Sequence, residues 1–320
     1  HDIFGRVLLQ TNPTAPHSFS KYDNLGRRVA TGQFSSTASI TVGSDDPTTE
    51  TTNRLALSET AYDEMERVWK TTRHKIDQDD GSDDDTLLTE HWFDSEGRQI
   101  KTDGSSLTKT AYDRLGRVTH QFTLAVDNDS AYGDADDVTG DVVLVEDQTT
   151  YDEEGGNVLM RARIDRLHDD HGAYKTTGAL DTNADSDSLK YTAANLEGRI
   201  QITAMSYDSL DRLTDTVRFG TYGGTDFDRD GMSAPARSDT ALRTTNSYAI
   251  DGTVQDVTDP RALVSRTEYD DAGRVTATIQ NYGDGVPSGT DSDVTVKYRG
   301  GLPRLDEQRH HRGEHQLGRL

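Results

Sequence analysis

Asp226-Phe227-Asp228-Arg229-Asp230-Gly231 sets three carboxylates at alternate positions ahead of a glycine. That is how a calcium loop opens: alternate carboxylates converge on the ion and glycine permits the sharp turn. The twelfth position is Arg237, where a bidentate glutamate would complete the ligand set. The expectation is therefore weak calcium binding, at the millimolar end of the usual range, through Asp226, Asp228 and Asp230. The plainer alternative is an acidic, solvated insertion. Asp181-Thr182-Asn183-Ala184-Asp185-Ser186-Asp187 repeats the alternation without the glycine. His168-Asp169-Asp170-His171 is the best histidine pair, but Gly172 follows and the segment reads as a turn rather than a helix that would aim both rings at one metal. Gly220-Thr221-Tyr222-Gly223-Gly224 lacks the lysine and helix of a phosphate loop, and no serine sits in a nucleophile elbow. No catalytic residue is assigned.

What positions these residues is a repeat. Seven times a Tyr or Phe precedes Asp, followed after two residues in most copies by Gly and Arg: KYDNLGRRV from Lys21, AYDEMERVW from Ala61, WFDSEGRQI from Trp92, AYDRLGRVT from Ala111, TYDEEGGNV from Thr150, SYDSLDRLT from Ser206 and EYDDAGRVT from Glu268. Looser copies begin at His1, Asn195 and Tyr248. Tyr suits a half-buried strand. Asp bonds the backbone two residues on and starts a turn, and the glycine supplies a positive φ at its end. Val275 to Ile279 and Val118 to Leu124 then alternate small or apolar with polar residues, the period of a return strand. Each repeat thus reads as one β-hairpin, with turns at Asp23 to Gly26, Asp94 to Gly97, Asp113 to Gly116 and Asp270 to Gly273. Its buried side is expected to hold Tyr22, Val29, Tyr62, Val68, Phe93, Ile100, Tyr112, Val118, Tyr151, Tyr207, Leu213, Tyr269 and Val275.

This pattern resembles the YD-repeat, or Rhs, family, which includes bacterial Rhs proteins, the shell components of insecticidal Tc toxins and the teneurins. The resemblance covers residues 1–298, with Lys101 to Gly104 and Thr258 to Pro260 fitting as connecting stretches. It implies an all-β chain: an array of antiparallel hairpins in a curved, spiralling sheet that forms part of a hollow shell, which in several members encloses a toxin. The implied partners are other segments of a longer Rhs-like polypeptide or an encapsulated toxin. Such a piece is expected to be an open sheet rather than a closed shell. From Arg299 the repeat stops and residues 299–320 become basic and His-rich, either a natural tail or the product of a frameshift. The start inside a repeat reads as that of a fragment.

Six polar stretches lengthen the spacing between repeats: Ser44 to Asn53, Asp77 to Thr86, Asp127 to Asp137, Asp181 to Ser188, Thr225 to Ser238 and Asn281 to Asp293. Their Asp, Gly, Ser and Thr content predicts surface loops. A mean hydropathy of −0.80 and a net charge of −23 approach the disordered range, but the regular repeat argues for a thin sheet with a modest core spread along the array. With 34 Lys and Arg against 57 Asp and Glu, nucleic acid is excluded as a partner. There is no cysteine and no apolar run long enough to span a membrane. The function expected is a non-catalytic shell or scaffold segment, extracellular or at the cell surface. The alternative is an extracellular calcium-dependent module that binds carbohydrate or another cell surface.

Overall fold

The computed structural model describes residues 1–153, 156–168, 177–182, 189–230, 232–283, 294–299 and 302–303. Two compact units divide the chain: His1–Gln148 with Arg163–Thr182 and Leu196–Arg199, and Thr149–Ala162 with Asn183–Asn195 and Ile200–Leu320. The tail after Pro303 and most of Asn281 to Asp293 lie outside the described residues.

The first unit contains β1 (Leu9–Gln10), β2 (His17–Tyr22), β3 (Arg28–Phe34), β4 (Arg54–Tyr62), β5 (Val68–Ile76), β6 (Asp83–Phe93), β7 (Gln99–Asp103), β8 (Leu107–Tyr112), β9 (Val118–Val126) and most of β10 (Val142–Tyr151). Each pairs antiparallel with the next in sequence, so this is a ladder of hairpins, and β1 has β2 as its one partner strand among the described residues. After β11 (Val158–Arg166) and β12 (Lys190–Tyr191), the second unit repeats the plan. There β13 (Gly198–Tyr207), β14 (Leu213–Gly220), β16 (Leu242–Tyr248), β17 (Val254–Thr258), β18 (Val264–Tyr269), β19 (Val275–Gln280) and β20 (Val294–Arg299) pair in succession, while β15 (Phe227–Asp228) pairs with β12. Helical structure among the described residues is limited to short 3-10 turns at Tyr132–Asp136, Ala193–Asn195 and Tyr222–Gly224. None of it is long and apolar enough to cross a membrane.

The four predicted turns all form. At the first, Gly26 N donates to Asp23 O at 3.0 Å and Asp23 N donates to Arg27 O at 2.9 Å, with Gly26 at φ 85° and a bulge between Lys21 and Tyr22. This is a type I turn closed by a left-handed residue, the three-residue hairpin loop that glycine favours. Three hairpins lack the glycine, and Glu66, Asp211 and Ala262 are held at φ 65°, 59° and 67° instead.

The buried row differs from the one expected. Of the residues predicted to face the core, Ile100 is buried, Val118 is exposed and the others are half-buried. The row with almost no exposure comprises Phe19, Ala30, Leu57, Phe122 and Leu124 in the first unit and Ile202, Ala204, Val217, Phe219, Ala277 and Ile279 in the second. The bulge at each turn is the reason: it breaks the alternation that was counted outward from the tyrosine.

The insertions lie largely at the surface, as expected, but three of the six also carry groups that cover this row. Pro47 is fully buried, close enough to Gly32 that a β-carbon there would come within 3.0 Å of it. Asp46 pairs with Lys21 at 2.9 Å. Arg54, 2% exposed, donates to Pro47 O at 3.2 Å, Gly81 O at 3.0 Å and Asp83 Oδ1 at 2.6 Å, which pins the Ser44 and Asp77 insertions together. Ala135 in the third insertion is buried, as is Val138 just after it. In the second unit Phe227 packs on Phe219 and Tyr222, each ring 5.0 Å away. Each covered stretch therefore has two layers, a sheet and the loop that follows it.

Candidate functional site

The repeated Asp, Arg and aromatic residues form one arrangement used many times. Asp63 accepts the Met65 and Arg67 amides on Oδ1 at 2.9 and 2.8 Å, and Arg67 Nε on Oδ2 at 2.7 Å. Asp23, Asp113, Asp208 and Asp270 bind their own turns in the same way, and Asp2 with Arg6 does so in the loose first copy. At Asp63 partial desolvation pushes the carboxyl upward, but the Arg67 amide and guanidinium and the Met65 amide outweigh it and hold the group below its ordinary value. The same balance lowers Asp23 and Asp113. At Asp208 the Arg212 guanidinium is the largest influence, and at Asp270 the Arg274 amide.

Five of these guanidinium groups, each oriented by its own aspartate, lie over the aromatic ring of the next hairpin. Arg6 is 4.8 Å from the Tyr22 ring centre, Arg27 is 4.5 Å from Tyr62, Arg67 is 4.2 Å from Phe93 and Arg98 is 4.8 Å from Tyr112. In the second unit Arg212 lies 4.4 Å from Tyr248. Such stacks contribute about 0.5–1 kcal/mol where exposed. The ring's hydroxyl reaches back: Tyr62 donates to Arg28 O at 3.2 Å, Tyr112 to Gln99 O at 2.9 Å and Tyr248 to Leu213 O at 2.8 Å. Phe93 has no hydroxyl, and Tyr132 from an insertion bonds its main-chain N and O instead, at 2.8 and 2.9 Å. Turn, stack and hydroxyl together make a clasp that joins each hairpin to its neighbour.

A second charged cluster gave no sequence signal. Lys101 and Lys109, 4% and 2% exposed, stand on the covered face in register with each other and with Phe122. Lys101 pairs with Asp127 and, at 2.8 Å, with Asp129, and lies over the Trp92 ring. Lys109 reaches Asp129 Oδ1 at 2.6 Å, Asp141 Oδ2 at 2.7 Å and the main-chain O of Asp137 at 2.6 Å. The insertion is thus seated on the sheet by buried ammonium groups. Nearby, Glu146 is almost fully buried and accepts Gln148 Nε2 at 2.7 Å and Leu180 N at 2.6 Å. Burial pushes its carboxyl up despite those bonds.

The candidate calcium ligands are placed as follows. Asp226 Oδ1 caps Ala193 N at 2.8 Å. Asp228 stands in β15, accepts Asp230 N at 2.8 Å and lies 3.8 Å from Lys190, and all three carboxylates are exposed. No group of three metal-ligating side chains converges among the described residues. Gly231, most of the Asp181 to Asp187 alternation and Asp169 to His171 lie outside them. The Gly220 to Gly224 stretch is a short turn whose Tyr222 packs edge-on to Phe219 at 5.8 Å.

Neither a protein-family model nor a curated protein matches the chain. Solved structures do. A crystal structure of TcdB2-TccC3-TEV aligns at TM-score 0.35 and 12% identity over 93% of this chain and 15% of that chain. One of TcdB2-TccC3 without its hypervariable C-terminal region aligns at TM-score 0.30 and 13% identity over 83% and 14%. A Tc holotoxin pore from Photorhabdus luminescens aligns at TM-score 0.24 and 13% identity over 83% and 15%. The chain therefore spans about 15% of the length of the solved chains it is similar to.

Proposed function

We propose that this chain is a non-catalytic structural segment of a bacterial YD-repeat protein, a length of shell or cell-surface scaffold that works outside the cell. The observation that supports the reading is the clasp. The recurring Asp, Arg and aromatic side chains, the obvious candidates for chemistry, are spent on holding hairpin to hairpin. Its partners are then further hairpins of a longer polypeptide and, where that polypeptide closes, an enclosed toxin.

Two measurements test this together. Trypsin should leave the strands of the folded chain intact, whereas the paired variant Arg67→Ala with Arg98→Ala should be cut within β4 to β8. A panel of ester, phosphate, glycoside and peptide substrates should be turned over by neither protein. Turnover that a single carboxylate substitution abolishes, or strands that stay protected without the two arginines, overturns the reading.

A further inference from the structure

The buried Lys109 has more acceptors around it than it can serve. An ammonium carries three N–H groups, and those of Lys109 go to Asp129 Oδ1 at 2.6 Å and to the carbonyls of Asp137 and Asp134 at 2.6 and 3.2 Å. Asp141 Oδ2 is a fourth neighbour, 2.7 Å from the same nitrogen, and this buried oxygen accepts no hydrogen bond among the described residues. The other oxygen, Oδ1, takes the Asn128 amide at 2.8 Å. Buried polar atoms normally find a partner, so a carboxylate oxygen set against an amine nitrogen without one calls for a physical reason. Lys101, by contrast, hydrogen-bonds both of its acids.

Every part of this site is fixed. Lys109 stands in β8 with Lys101 and Phe122 opposite it in the neighbouring strands. Asp141 N donates to Val138 O at 3.1 Å, and Asp141 O accepts Gly178 N at 2.9 Å. Both side chains are buried. A reacting pair held at contact distance gains the advantage of proximity, and without water an ion pair loses the solvation that favours it over the neutral amine and acid.

We propose that Lys109 and Asp141 condense into an isopeptide bond, a side-chain amide that ties β8 to the start of β10. Asp129 accepts a proton from the ammonium and delivers it to Asp141 Oδ2, acting as general base and then general acid. Lys109 Nζ attacks Asp141 Cγ while the Asn128 amide stabilises the charge that gathers on Oδ1. A second nitrogen proton passes through Asp129 to Oδ2, the Cγ–Oδ2 bond breaks, and that oxygen leaves as water. The sum is ammonium plus carboxylate giving amide plus water, with no other reactant. The ion pairs seat the loop first, and the bond follows slowly because the lysine must give up protons that three acceptors hold. It forms once per chain, without turnover, so it goes beyond the scaffold reading and does not depend on it.

Intact mass spectrometry of the whole folded chain reads the reaction directly. Freshly folded protein should have the mass of its sequence. Over days of incubation a species lighter by one water should accumulate, with Lys109 and Asp141 joined in one branched peptide after digestion. Lys109→Arg keeps the charge but supplies no amine that can lose its proton, and should stay at full mass. Asp129→Asn leaves both reacting groups in place but removes the proton carrier, and should slow the loss about a hundredfold. Asp141→Asn should shed ammonia in place of water, which a merely structural Asp141 would not do. A parent chain that stays at full mass, or a water loss that persists in Lys109→Arg, as aspartyl imide formation elsewhere would, overturns the proposal.

Discussion

Replacing Lys109 by methionine should unseat the loop that follows β9. The ammonium is held by Asp129 at 2.6 Å, Asp141 at 2.7 Å and the carbonyls of Asp137 and Asp134 at 2.6 and 3.2 Å. Methionine fills much of the volume but supplies no donor. Asp141 has no exposure, so its carboxylate would be left buried and unpaired, a loss of about 3–5 kcal/mol. Since about 1.4 kcal/mol is a factor of ten, local opening should become about two to three and a half powers of ten more frequent. The Asn128 amide, which donates to Asp141 Oδ1 at 2.8 Å, reports that opening by hydrogen exchange, and urea denaturation reports the stability. The variant Lys109→Met with Asp141→Asn removes the orphaned charge while keeping an acceptor for Asn128, so it should recover most of the loss. Lys75→Met, at the exposed Lys75–Asp84 pair, should change little. A Lys109→Met protein within about 1 kcal/mol of the parent, or no recovery in the double variant, would refute the view that buried charge seats the insertion.

Other consequences are as direct. Glu66→Gly and Ala262→Gly each relieve a left-handed backbone and should stabilise by about 0.5–1 kcal/mol after the entropy that glycine costs; a fall in the urea midpoint of both would contradict the turn assignment. Tyr248→Phe removes the 2.8 Å bond to Leu213 O and should cost about 1 kcal/mol, seen as a lower midpoint at unchanged slope. Acid should loosen the array. Asp23, Asp63, Asp113 and Asp270 have folded-state pKa values below the reference of 3.8, so their contribution is whole above the unfolded value and is lost as pH falls through the folded ones. Glu146 is shifted the other way, and its contribution is present below its unfolded value and lost as pH rises through its folded one. A urea midpoint that stays flat from neutral pH to about pH 3 would deny the turn carboxylates their role.

The hairpins were legible because every ingredient of the turn is local. Asp23, Gly26 and Arg27 lie within five residues, and their bonding follows from residue type. What joins hairpins was not legible. Arg27 meets Tyr62 only after an insertion whose length carries no signal. The buried row was displaced because a bulge changes the parity of the strand, and composition does not reveal a bulge. Lys101 and Lys109 occupy inward positions that a polar letter marks as outward, and the acids that make this tolerable come 20 to 32 residues later in the chain.

The guanidinium stack has a direction, since in five turns the arginine meets the ring of the turn that follows. Because the same two chemical halves recur at these joints, the arginine of one copy would fit the ring of another. An in-frame duplication or loss of one whole hairpin therefore creates a junction of the kind already present, with no new surface to evolve. Arrays assembled this way can vary in copy number at little cost to folding, whereas the loops that seat on the sheet, such as the one carrying Tyr132, are held to their joints.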